Sequence, residues 1–520
     1  MGILKAASLI AFISLISKIF GLFREQFISA YYGTSYIRDA YSIASLLPSS
    51  FALIMLAGLN GPFHSAIVSV ITKYKTNNDN TSVKIVVSSV TLLSVIFMSF
   101  IVLLCFTFPK QIISFIASKN IPEQTLNLAI IQFKIMAPIF VVSAIIGILY
   151  GICNIEKIYI TPSLSPVMAS LSVIIFLLLS NDNNRIIALA WGTLVGALLQ
   201  LFLQLIPLIK KLSNYYTFNF NFKHQGVYQT FSIILPASLS SIVGQINIII
   251  TTYFASGLPI GSISALTYAN FIYQLPLGIL LTSLLVPMLP ILNQTITYND
   301  NMKSFKININ KSIRMLSLLS IPSSIMLFSS GEIFIKILLE RGAFDYNSRL
   351  ITYISLACYT IGLIFYAFRD LFVRVFYALD NAKIPFYTSF TSILIMYLLC
   401  YYFVTYLNFE IIGISLAVSF VTIFNCLILY FILIKKIGNF IEDKTIKHFI
   451  KVLISFIPLS LFCTIFNYYF DYKFDYVNFI IYCFCVLVML FISFFILILF
   501  KDEEIVIITN KIKFKLTKSF

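Results

Sequence analysis

The chain has 520 residues, of which 59% are hydrophobic, 16% aromatic and only 11% charged, with a formal net charge of +16. An ordinary soluble domain carries about 25% charged residues, and a mean hydropathy of +0.95 suits a chain whose main solvent is lipid. Disorder, a collagen-like repeat and a disulfide scaffold are excluded on the same grounds, and the prediction is an all-α polytopic membrane protein.

A bilayer-crossing helix takes about 20 mostly apolar residues. Fourteen such runs lie near 7–30, 40–72, 85–108, 125–151, 160–180, 186–209, 229–255, 264–297, 312–338, 350–378, 386–406, 411–434, 450–468 and 477–500. The run 85–108 carries no charge and lacks the period-two alternation of a barrel strand. The opening stretch Met1 to Lys18 runs on through Gly21 and Arg24 without a small-residue cleavage pattern, so it is expected to be a retained first helix. An even helix number puts both termini on one side. With that side cytoplasmic, Lys and Arg in inside loops outnumber those outside by roughly three to one, as the positive-inside rule requires. The expectation is a multi-pass protein of the plasma (inner) membrane with both termini cytoplasmic. The basic charge then needs no nucleic acid partner.

Gly21-x-x-Arg24 is echoed by Gly244-x-x-Asn247, and Leu47-Pro48 with Pro62 is echoed by Leu275-Pro276 with Pro290. The echo predicts a six-helix N-terminal lobe over 1–225 and a six-helix C-terminal lobe over 226–440. Residues 441–520 would add two transmembrane helices and a basic cytoplasmic tail. Repeats of this kind are typical of transporters, with the substrate site near their interface.

Ionisable groups inside spans are costly and usually face a cavity or a partner. Lys18, Arg24, Glu25, Arg38 and Asp39 form one group in the first two helices. Position alone leaves open whether they are snorkelling anchors or a basic wall facing an anionic head group. Lys18 and Arg24 are about 9 Å apart along a helix and about 120° apart around it, with Gly21 between them permitting a bend. Arg369, Asp370 and Arg374 form a second group. Asp370 and Arg374 have the i,i+4 spacing of a salt bridge, and the set reads either as a self-neutralising pair or as part of an inward gate or phosphate site. His64, after Asn60-Gly61-Pro62-Phe63, reads as a packed polar residue.

The eight cysteines lie in or beside apolar runs and behave as small hydrophobes. Neither His224 nor His448 has a partner at metal-ligand spacing. No H-E-x-x-H, Walker A loop or G-x-S-x-G is present. No catalytic residue, metal site or cofactor is predicted, and the chain is expected not to be an enzyme.

Ser17-Lys18-Ile19-Phe20-Gly21-Leu22-Phe23-Arg24-Glu25, then Tyr32-Gly33, Asp39-Ala40-Tyr41 and Leu47-Pro48, resemble the opening signature of the MurJ (MviN) lipid II flippases. Gly151-Ile152-Cys153-Asn154, Leu189-Ala190-Trp191-Gly192, Glu340-Arg341-Gly342-Ala343-Phe344 and the stretch Phe376 to Pro385 extend the resemblance along nearly the whole chain. It implies a fourteen-helix transporter of the MOP exporter superfamily, with two lobes around a basic cavity and a final helix pair forming a groove for a polyprenyl tail. The implied substrate is the undecaprenyl-diphosphate-linked disaccharide pentapeptide, passed from the inner to the outer leaflet by alternating access for cell wall biogenesis. Lys18, Arg24 and Asp39 match family positions important for function, and Asn60 and His64 are assigned supporting polar contacts. Many members have a basic pair and an acid where this chain has Ala52, Leu53 and Ala57, and an Arg where it has Phe271. Membrane potential or a coupling cation is expected to reset the cycle, with membrane lipids and cell-wall synthesis proteins as further partners. Two rivals remain: a related exporter of another polyprenyl-linked oligosaccharide or of a drug, and a membrane-embedded glycosyltransferase. A drug exporter is expected to have a more acidic or aromatic cavity, and a transferase to have longer loops and surface carboxylates.

Overall fold

A computed structural model describes every residue except 1–2, 59–60, 183, 281–283, 286–287, 289–290, 296–301, 471–475, 503 and 506–520. Asn60, Pro290 and the basic tail residues Lys511, Lys513, Lys515 and Lys518 therefore lie outside the described residues. All regular structure among the described residues is helical, as expected where every backbone N–H and C=O must be satisfied within its own segment. The first half runs α1 (Ile3–Tyr32), α2 (Tyr36–Ser45), α3 (Pro62–Thr76), α4 (Asn80–Thr107), α5 (Pro109–Ile116), α6 (Glu123–Met136), α7 (Ile139–Ile155), α8 (Ile160–Leu179) and α9 (Arg185–Leu208). A tight 3₁₀ turn (Ile209–Asn214) leads toward α10 (Gln225–Ser256) and α11 (Ser262–Leu280). Then come α12 (Met302–Leu339), α13 (Tyr346–Ala378), α14 (Lys383–Cys400), α15 (Glu410–Ile437), α16 (Asp443–Ser455), α17 (Ile457–Phe470) and α18 (Tyr476–Leu499).

Each of the fourteen apolar runs falls mainly on helix where it is described, but fewer than fourteen helices pass as spans among the described residues. Among the described residues ten helices are long and apolar enough to cross a membrane by themselves, and eleven if α6 and α7 are one span bent by 42°. Prolines account for the interruptions. Pro138 sits at the α6–α7 bend, where its missing N–H and ring bulk break the ladder. The run 40–72 is not one helix. Pro48 cannot donate to the preceding turn, and the chain widens into π-type turns over Leu46–Leu56, closed by Ala57 N–H donating five residues back to the Ala52 carbonyl. The helix then breaks and restarts with Pro62 at the first position of α3, a place proline favours.

One compact unit comprises 1–264 with 339–348, and a second comprises 265–338 with 349–520. In the first unit, Gly192 and Gly196 bring α9 onto α8; a Cβ at either would lie 2.9 Å from the α carbon of Val173 or Ala169. Gly147 and Gly151 do the same for α7 against Phe63 and Ile67 of α3. Small residues four apart let helix backbones approach where lipid offers no hydrophobic drive to associate. In the second unit α12 carries two cores. Phe305 and Ile309 pack with Leu371, Val375 and Leu429, and Leu318 and Ile321 pack with Val452, Cys463 and Tyr482 of the last three helices.

Candidate functional site

The charges of α1 and α2 form a cluster that their order along the chain does not show. Glu25 is buried and bridges two arginines, Arg24 at 2.8 Å and Arg38 at 2.9 Å. The Arg38 side chain is 3% exposed, and its guanidinium also lies 5.4 Å from the centre of the Tyr41 ring. Arg24 keeps 34% of its side chain exposed, and its Nε–H has no hydrogen-bond partner. Glu25 thus holds two guanidinium groups, one buried and one partly open. A buried carboxylate between two arginines is stable only because both its oxygens are bonded. The same bonds hold the Arg24 fork in one orientation.

Lys18 is exposed about one and two-thirds turns earlier on α1. The helix is continuous through Gly21. Gly21 lies midway between the two cations around the helix, about 60° from each, and a Cβ built on it meets no atom within 4 Å. The glycine therefore leaves open space on the helix face between the positions of Lys18 and Arg24. That arrangement suits a phosphate or diphosphate, which an Arg fork grips and a Lys neutralises as a point charge.

Asp39 does not join this cluster. Its carboxylate accepts hydrogen bonds from Gly261 N at 2.6 Å, Ser264 N at 2.7 Å and Ser264 Oγ at 2.5 Å, so it caps the start of α11. Charge-assisted acceptance at a helix N-terminus is a favourable use of a buried carboxylate. Around it the backbones touch: Ala343 N donates to the Ala30 carbonyl at 2.8 Å. Gly33, at φ 51°, would place a Cβ 2.2 Å from the Ala343 oxygen, so only glycine fits.

His64 is buried on α3, its Nε2 3.1 Å from Asn154 Nδ2. In the second unit Asp370 lies 3.5 Å from Arg374 and 3.6 Å from Arg369. The i,i+4 pair thus forms, and Arg369 also stacks 4.6 Å from the Tyr366 ring centre. Ala52 and Ala57 are fully enclosed and Leu53 is buried; a Cβ on Gly147 would lie 3.2 Å from the Ala57 α carbon. Long basic side chains have no room there, so these departures are repacked core. Sequence spacing did not reveal Arg38 as a partner of Glu25, because the pairing crosses the α1–α2 turn.

Outside the spans, Glu156 follows α7 and binds Lys75, Lys211 and the Tyr215 hydroxyl. Burial opposes its ionisation, but hydrogen bonds from Lys211, Lys75 and Tyr215 outweigh it and hold its carboxyl down at about 2. Among the described residues no group of three or more His, Cys, Asp or Glu could hold a metal ion.

The family profile described as "Lipid II flippase MurJ" matches residues 28–499. A probable lipid II flippase MurJ of Synechocystis sp. is 34% identical over 445 residues, covering 83% of this chain and 82% of that one. The lipid II flippase MurJ of Burkholderia cenocepacia is 25% identical, with 83% of each chain covered. Among solved structures, a lipid II flippase MurJ in an inward closed conformation superimposes with a TM-score of 0.77 at 26% identity, covering 95% of this chain and 98% of that one. An inward-facing multidrug transporter of the MATE family shares the fold, with a TM-score of 0.69 at 14% identity, covering 84% of this chain and 98% of that one. A match that spans most of the chain in both sequence and fold places this multi-pass membrane protein in the MurJ lipid II flippase family.

Proposed function

We propose that this chain is a transporter that moves lipid II, the undecaprenyl-diphosphate-linked disaccharide pentapeptide, from the inner to the outer leaflet of the plasma membrane. The observation that carries the site is the open space at Gly21 between the positions of Lys18 and Arg24, whose fork Glu25 sets. The diphosphate is the strongest charge on such a substrate, and pairing with it gains strength where water is sparse. The polyprenyl tail stays in lipid while the head group crosses. In alternating access the lobes 1–225 and 226–440 are the moving bodies, 441–520 borders the tail, and both termini are cytoplasmic. Asp39 and the glycine-tight contact of Ala30 with Ala343 hold the α1–α2 turn in place, and Arg369, Asp370 and Arg374 form part of an inward gate or of a phosphate site. His64 and Asn60 support the polar lining near α3. Membrane potential, worth about 2.3 kcal/mol per charge per 100 mV, or a bound cation resets the cycle, and cell-wall synthesis proteins are the natural recipients of the product.

The test is depletion of the chain followed by measurement of the leaflet that holds lipid II, with complementation by wild type and by Arg24→Ala. Outward translocation that continues undiminished after depletion would falsify the transport reading. Full complementation by Arg24→Ala would remove Arg24 from the site and leave the transport reading standing.

A further inference from the structure

The chain between the 3₁₀ turn and α10 reads as an ordinary loop, yet it is tied along the side of a membrane span. Thr217 N donates to Ser88 Oγ at 2.8 Å and Asn221 N donates to Ser89 Oγ at 3.1 Å. His224 Nε2 lies 3.2 Å from Ser82 Oγ, and the Tyr216 hydroxyl lies 3.4 Å from Thr91 Oγ1. All four partners belong to α4. The outer side of this irregular strip presents phenylalanines at alternate positions: Phe218 is 97% exposed, with Phe220 and Phe222 also exposed. The Phe220 and Phe222 rings stack at 6.4 Å.

The register against α4 sets the depth. Its 28 residues span about 42 Å at 1.5 Å per residue, close to the full bilayer including head groups. Ser88 and Ser89 lie about 12 Å in from its Lys-rich end, deeper than the ~6 Å left for head groups on each side of a ~30 Å hydrocarbon core. Farther along, Ile96, Phe97, Phe100, Leu103 and Phe106 are all exposed and form the lipid-facing belt. Non-helical backbone at such a depth needs a partner for each polar group. Ser88 and Ser89 supply acceptors for two of its amides, Thr217 N and Asn221 N. Lys210 and Lys223 flank the strip and are exposed, placed for their long stems to reach head groups.

We propose that residues 216–222 are embedded in the bilayer boundary on the lysine-rich side, with Phe218, Phe220 and Phe222 inserted among the acyl chains. The occupant of this exposed aromatic face is phospholipid. The strip anchors the connection between α9 and α10 to the membrane and fixes where α10 begins.

The chain has one tryptophan, Trp191, so a Trp191→Phe, Phe218→Trp variant of the full protein carries a single reporter at the most exposed position. It is reconstituted into phosphatidylcholine–phosphatidylglycerol vesicles containing lipids brominated high on the acyl chains. Bromolipids are expected to quench at least half of the emission, with acrylamide quenching several-fold weaker than for free tryptophan. Emission untouched by bromolipid and fully open to acrylamide would overturn the proposal, as would protection from both, which would indicate a protein partner. Adding Ser88→Ala and Ser89→Ala to a variant that stays monodisperse is expected to reduce bromolipid quenching. Unchanged quenching would overturn the role of the two hydroxyls.

Discussion

Glu25 on α1 and Arg38 on α2, thirteen positions apart, pair at 2.9 Å with side chains only 7% and 3% exposed. The second Glu25 oxygen binds Arg24 at 2.8 Å. One buried carboxylate thus fastens a structural arginine and presents another to its surroundings. Glu25→Gln removes the carboxylate that pairs with Arg38 at 2.9 Å, and breaking a buried ion pair costs about 3–5 kcal/mol. Thermal unfolding of the purified variant is expected to show that loss, and adding Arg38→Met is expected to recover most of it. Equal stability of wild type and Glu25→Gln would show that the triad is not formed.

Gly21→Leu separates binding from folding. Nothing lies within 4 Å of a Cβ there, and replacing glycine by leucine inside a helix favours it by up to about 1 kcal/mol. The variant is expected to be as stable as wild type or more so, yet to fail in complementation because the side chain fills the space between the positions of Lys18 and Arg24. Normal complementation would move the anion site elsewhere.

Asp39→Asn keeps the shape of the side chain but removes the charge and one of its two acceptor oxygens. Three donors converge on that carboxylate, and a hydrogen bond to a charged group contributes about 1.5–3 kcal/mol. A drop in thermal stability of that order is expected, in contrast to the neutral Gly21→Leu. Calorimetry or fluorescence-monitored melting of both variants under one condition decides it.

Glu156 makes stability depend on pH in a set direction. Its folded value, about 2, lies below its ordinary 4.5, so its contribution is fully present above about 4.5 and is lost as pH falls toward 2. The melting-temperature gap between wild type and Glu156→Gln is therefore expected to be widest at neutral pH and to close below about pH 3. A gap that stays constant from pH 7 to pH 3 would contradict the three-donor arrangement around the carboxylate.

Much of this protein is legible from its residues in order. Composition and run length declare a helical membrane protein, because a lipid solvent permits few other solutions. The charges of the Lys18 to Glu25 stretch stand out as candidates, because charge inside a span is costly and usually faces a cavity or a partner. What is not legible is partnership. Arg38 and Asp39 are neighbours in the chain, yet one turns to Glu25 and the other to the start of α11. The run 40–72 reads as one helix until Pro48 widens it, and nothing in the order of residues ties 217 and 221 to Ser88 and Ser89. Hydropathy and spacing record what each residue costs in lipid, a property of the residue and its near neighbours along the chain. Which carboxylate meets which arginine, and which hydroxyl meets which amide, depends on the packing of helices far apart in sequence, and only the tertiary structure decides it.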